Sequence, residues 1–528
     1  MNIFNDLLLE MEEYKRILQD LKEFSPVSVT GPSDSQKVHL SCALSTHLDR
    51  KALFVTYNDM QARRVYEDAS FFLGEDNALY FPPREILLHD VEARSNDTIY
   101  QRINTLGRIL DGNFEFVVTS IEALAFKMIP SVVFRSFEIT IDESSTVDLP
   151  HLQSKLVSMG YERVPEVEGK GQFSVRGGII DIFPVNLAYP VRIELFGDEI
   201  DSVRSFDPDT QRSVDRVQKV RIFPARDIIY AGEETEIIIG RIMADLKAYR
   251  DNLKKENSSV LKSVSERVNH DIERIRNNIN FPGIDRYVPY VVESPVTIDD
   301  YITGDVIVFL DEPVRQRQRI ENMLLEYYEQ CKDLMQRGYL LPGGIENQFN
   351  YDMLQKRLEK KCTVALNVLS SQGSHTGGKR YSITGKTLGS YEGHFNLLVE
   401  DVRIWKAGNK YVIILAGSEA RGQRLVENLR SYDIEAVYVA GKEYKMAPGL
   451  VVVTEGALHR GFEYTSPGLV VISDSLLGRA ARKTARIRTS KKTAKIDLFT
   501  ELTPGDYVVH QTHGIGKYVG IEKLVVDN

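Results

Sequence analysis

Cysteine is scarce in this chain: three in 528 residues, Cys42, Cys331 and Cys362, odd in number and far apart. That spacing excludes a disulfide framework and a cysteine-built zinc cluster, and it suits a reducing, cytoplasmic setting. Long apolar runs are also missing. None approaches the roughly 20 residues a membrane helix needs, so no membrane partner is expected. The opening MNIFNDLLLEMEEYKRILQDL sets leucines among acids at helical spacing, without a basic leader or a cleavage site, so a signal peptide is not expected. The nucleophile elbow G-x-S-x-G does not occur. His510 and His513, three apart in VVHQTHG, have no cysteine or carboxylate set to complete a metal site and read as turn residues. No catalytic residue and no metal ligand is assigned on these grounds.

What is present is ordinary for a globular chain, 42% hydrophobic and 27% charged, with length enough for several domains. The net charge of -9 excludes a generic polyanion binder. One stretch departs from that balance. GRAARKTARIRTSKKTAK (478–495) carries Arg479, Arg482, Lys483, Arg486, Arg488, Lys491, Lys492 and Lys495 and no acid. It reads either as a solvated linker (476–498) or as a strap against nucleic acid or an acidic partner.

Short β-rich runs, ALFVTY and FEFVVTS, alternate with helical stretches such as DTIYQRINTLGRIL, which predicts an α/β fold with a parallel sheet. PVSVTG followed by DSQKVHLSCALSTHL has the strand–loop–helix layout of a phosphate-binding site. Gly31 and Lys37 match G-x-x-x-x-G-K-[ST], but Gln36 stands at the second glycine and Val38 at the hydroxyl. Gln36 puts a side chain where backbone must approach phosphate, and Val38 cannot ligate magnesium. DVIVFLDEP ends in Asp311 and Glu312. Acids at a strand end suit magnesium coordination and water activation; taken alone they are more often a plain turn, and a phosphate loop in the same fold adds weight to the first reading.

Between these, FEITI, GQFSVRGGIIDIFP and YPVRIELFGDEIDSVRSFD predict a β-rich α+β insert with one helix near HLQSKLVSMGY; Phe173 and Phe183 fall on its core side by alternation. The expected organisation is multidomain α/β. A first α/β domain (1–130 and 216–340) is interrupted by the insert (131–215). A second α/β domain (341–475) holds KYVIILAG, AVYVAG, LVVVTEG and LVVISD. After the linker, 499–528 opens a β-rich module, and the chain reads as truncated there.

GQFSVRGGIIDIFP with VRIELFGDEIDSVRSFDPDTQR closely resembles the domain shared by the excinuclease B subunit and the bacterial transcription-repair coupling factors. LTPGDYVVHQTHGIGKYVGIEKL resembles the opening of the coupling factors' CarD-like, RNA-polymerase-interacting domain, and LVVVTEGALHRGFEY their middle domain. The resemblance spans the chain and implies the amino-terminal half of such a factor. It implies a helicase-like P-loop domain whose loop has decayed, with Lys37 left as a surface charge or an interdomain contact and Asp311 and Glu312 as remnants. It implies docking of the excinuclease A subunit (UvrA) through Arg163, Arg176, Asp181, Glu194 and Glu199, and contact with the RNA polymerase β subunit through Tyr518, Ile521 and Leu524. The family releases polymerase stalled at DNA lesions and recruits excision repair. Its motor, which uses ATP and Mg on double-stranded DNA, lies further along, so no cofactor is expected in this chain. The rival reading is an excinuclease B-like ATP-dependent helicase. It requires a complete loop and a long tyrosine-rich hairpin, whereas YFPPREILLHDVEARSND holds only Tyr80.

Overall fold

Apolar strands buried on both faces, with one polar, largely exposed edge strand at 379–382, form a seven-stranded sheet in the order 379–382, 27–30, 362–367, 306–311, 51–56, 116–120, 78–81. Every neighbouring pair is parallel, as expected of near-continuous apolar strands covered on both sides. The computed structural model describes residues 2–86, 88, 95–230, 232–252, 258–279, 281, 283–369 and 378–477, with the backbone of 507–510 and 514–517.

Two strands of this sheet, Cys362–Asn367 and Lys379–Ser382, come from the region expected to open the second domain. The boundary predicted at 341 therefore falls inside the first unit, which runs to about Ser382. The local pattern could not show this, because a buried strand carries no mark of the sheet it joins.

The second sheet has the order 385–387, 462–464, 469–472, 411–416, 451–455, 436–438. Alternation divides its residues. Tyr411, Ile413, Leu415, Val452 and Val471 share a core with the first unit, whereas Val412, Ile414, Val451, Val453 and Val470 pack under the helices Phe395–Ala407 and Glu419–Ser431. The helix Asp34–Leu48 lies in the shared core and is buried continuously from Ser35 to Ser45. It is a layer between two sheets.

The insert is built on a separate six-stranded sheet, 213–216, 199–206, 191–196, 179–182, 172–176, 162–163, backed by the helix Leu149–Ser158. Its ends are tied where Ile139–Asp142 pairs antiparallel with Lys219–Ile222. The insert thus closes at Ile222 rather than at the expected 215. Phe173 is buried in the insert's main core, as alternation predicts; Phe183 is also buried, but in a separate small cluster with Val167 and Phe206, because it follows the inward-facing Ile182. All three cysteines are buried and free. Among the described residues no helix is long and apolar enough to cross a membrane.

Candidate functional site

The strand Val27–Thr30 delivers the chain into a turn at Gly31, whose φ of +112° is open to glycine and strained for other residues. The helix that follows carries Lys37 in its first turn, only 4% exposed. The acid-bearing strand lies beyond 362–367 and ends at Asp311; Glu312 follows in a left-handed conformation that turns it toward the loop. Lys37 Nζ donates to Asp311 Oδ1 at 2.6 Å and to Glu312 Oε1 at 2.7 Å. Burial alone pulls the lysine's pKa down, but the two carboxylates outweigh it and hold Lys37 above its ordinary value. Lys37 is therefore neither of the things the sequence suggested. It is not a surface charge or an interdomain contact; it is spent on the two acids of its own sheet.

The rest of the loop is covered by the second unit. Gln36 is fully buried, and its Nε2 donates to the Glu463 carbonyl at 3.4 Å. The Arg460 amide donates to Ser35 Oγ at 2.9 Å, and the Ser33 and Thr387 hydroxyls are 3.0 Å apart. Tyr464 Oη lies 3.0 Å from His39 Nδ1 and donates to the Gln36 carbonyl at 3.3 Å. The His39 ring stacks on Phe462 with centroids 5.3 Å apart, and burial holds its pKa at about 3, so it is neutral. Val38 is buried, and its side chain carries no oxygen.

The insert presents a second candidate surface. Its sheet turns Phe173, Ile180, Ile182 and Ile193 inward. The register places Asp181 opposite Ser174 and Arg192, and Ile179 opposite Arg176 and Glu194, on the other face. Asp181 is not available at the surface. It is 1% exposed and accepts from Arg192 Nε at 2.6 Å and Nη2 at 2.9 Å, and from Arg176 Nη2 at 3.0 Å. It holds the two arginines in place. The Arg176 side chain stays 53% exposed. Glu194 is half-buried and accepts from Ser202 Oγ at 2.7 Å; Glu199 is exposed at the hairpin end; Arg163 is exposed on the edge strand.

Sequence reasoning missed Phe196, which is 82% exposed, and its neighbour Ile179, 38% exposed. Two turns, at 177–178 and 197–198, lie at the same end of the sheet and set these side chains near Arg176. A signal existed. Period two sends Val191, Ile193 and Leu195 to one side, so Phe196, beside Gly197, must point to the other.

Residues 139–228 match the family model described as the UvrB interaction domain, and 502–528 match the CarD-like/TRCF RID domain. Among curated proteins, the transcription-repair-coupling factor of Bacillus subtilis (strain 168) is 30% identical over 530 residues, covering 100% of this chain and 45% of that protein. The transcription-repair-coupling factor of Staphylococcus aureus (strain USA300) is 28% identical over 532 residues, covering 100% and 44%. The chain matches the amino-terminal half of the transcription-repair-coupling factors. It spans less than half the length of these coupling factors. In the part that matches the coupling factors' RID domain, Tyr507–His510 pairs antiparallel with Gly514–Lys517. Tyr518, Ile521 and Leu524 lie outside the described residues, as do Arg479, Arg482, Lys483, Arg486, Arg488, Lys491, Lys492 and Lys495.

Proposed function

We propose that this chain is the recruiting half of a transcription-repair coupling factor. It takes the excinuclease A subunit on the outer face of its insert and the RNA polymerase β subunit on the module that begins near 502. In the whole protein, a motor beyond this chain would use ATP and magnesium on double-stranded DNA to release polymerase stalled at a lesion. The first unit is a helicase-like P-loop domain in decline. The placement of 362–367 between the loop strand and the acid strand supports that reading.

The observation that carries the proposal is the exposed face within the segment matched as an interaction domain. Ile179 and Phe196 supply an apolar centre, and Arg176, Glu194 and Glu199 a polar surround, the composition of a protein-binding patch. Asp181 and Arg192 make Arg176's post rigid, which lowers the entropy cost of pairing its guanidinium with a partner's acid.

Titration calorimetry of the 528-residue chain with the excinuclease A subunit tests this. Arg176→Ala is expected to weaken binding by about 1–3 kcal/mol, and Phe196→Ser by a similar amount. Native affinity in both variants would remove the proposal. For the polymerase arm, deletion of 499–528 is expected to abolish capture of the β subunit in a pull-down.

A further inference from the structure

We propose that the loop at 30–37 is a socket filled by the chain's own second α/β unit, so that completing the phosphate-binding motif would not restore a nucleotide site. The socket is independent of the recruiting role.

The obstruction is made of backbone as well as side chains. The Ile383 amide donates to the Thr30 carbonyl at 2.9 Å. The Ile383 carbonyl oxygen lies 2.2 Å from where a Cβ on Gly31 would stand, so the chain leaving the first sheet runs directly over the turn. Two residues on, Gly385 has no side chain because Gln36 occupies the space; a Cβ there would sit 2.0 Å from Gln36 Oε1. Gln36, the residue that spoils the motif, is thus the part of the loop that fits the second unit. Ser33, Ser35 and the Gln36 carbonyl meet Thr387, Arg460 and Tyr464. A helix N-terminus that receives phosphate keeps its first groups open to the anion. Here the Ser33 and Ser35 hydroxyls and the Gln36 side chain and carbonyl meet the second unit, and Lys37 is committed to Asp311 and Glu312.

Mg-ATP does not fit this arrangement, for three separate reasons. The position after the lysine has no hydroxyl for the metal, the lysine's charge is already paired with two carboxylates, and the approach is occupied. Only the first lies wholly in the residues of the loop, since the partners of Lys37 are Asp311 and Glu312. Freeing the approach would pull the second unit off a continuous core in which Val38 and Leu40 are packed with Phe462 and Tyr464. An interface of that apolar character resists separation at ordinary ligand-binding energies.

Two variants test the socket. Gln36→Gly with Val38→Thr completes the motif within the full chain. Calorimetric titration with Mg-ATP is expected to show no saturable binding up to millimolar nucleotide, and micromolar affinity in the folded variant would overturn the proposal. The second variant is independent of whether that pair folds. Ser33→Cys with Thr387→Cys puts two thiols where the hydroxyls are 3.0 Å apart. With oxidised glutathione as electron acceptor, the two thiols should lose their protons and electrons to form one disulfide in nearly every molecule. The rate should be the same with and without Mg-ATP. A pair that stays reduced, or that nucleotide protects, means the loop opens, and the socket is then refuted.

Discussion

A lysine shut away from water keeps its charge only when opposite charges are close, and Lys37 has two within hydrogen-bonding distance. Removing it leaves Asp311, 2% exposed, as an uncompensated buried acid. Lys37→Ala is therefore expected to cost about 3–5 kcal/mol in urea unfolding, and Lys37→Met combined with Asp311→Leu clearly less. Asp68 makes a pH-dependent contribution at the same seam. It is 2% exposed and accepts from the His459 amide at 2.9 Å. Burial, with lesser repulsion from Glu67 and Asp34, raises its pKa from 3.8 to about 7 against the pull of its bonds to Ser35 and His459. The folded chain thus holds this proton more tightly than the unfolded chain. The associated stability is full below about pH 4 and is lost as pH rises through about 7. Asp68→Asn, which keeps the shape without the titration, should flatten the dependence of melting temperature on pH between about 4 and 7. An unchanged slope would rule out Asp68 as its source.

At the scale of elements, the helix Asp34–Leu48 shows what limited the sequence reading. A surface helix has an apolar stripe and a polar face, and this one has neither. Its serines, Cys42 and Ala43 are small because sheets press on it from both sides. The lack of a stripe was visible in the sequence, but which layers enclosed the helix was not. The turn before it is equally constrained. Gly31→Ala must accept a positive φ and push the Ile383 carbonyl aside, so it should destabilise the chain by about 2 kcal/mol or more in thermal melting. The insert's hairpin behaves oppositely. Phe196→Ser alters an exposed position and should change stability by no more than about 0.5 kcal/mol while weakening partner binding. A large loss of stability would show that Phe196 serves the fold instead.

At the scale of the molecule, one apolar core runs from Ile3 through the first sheet to Val471 in the second unit. Two units that share a core should unfold together. The single tryptophan, Trp405, sits on a helix of the second unit, so its fluorescence reports that unit alone. Its denaturant transition is expected to coincide with the loss of far-ultraviolet helical signal from the whole chain. Two separated midpoints would show that the units are independent.

The sequence by itself determined the α/β class, most strand positions, the β-rich insert, the core role of Phe173, and the likeness to coupling factors. These rest on residue periodicity and short motifs, which are local. Only the tertiary structure decided that 362–367 and 379–382 complete the first sheet, that Lys37 and Asp181 are buried in ion pairs, that Phe196 is exposed, and that the second unit covers the loop. Each of those depends on which distant segments meet. Lys37 and Asp311 are 274 residues apart, and Ser33 and Thr387 are 354 apart. The energy that joins such segments comes from burying apolar area, which is insensitive to sequence order, so the pairing is settled by how the layers pack.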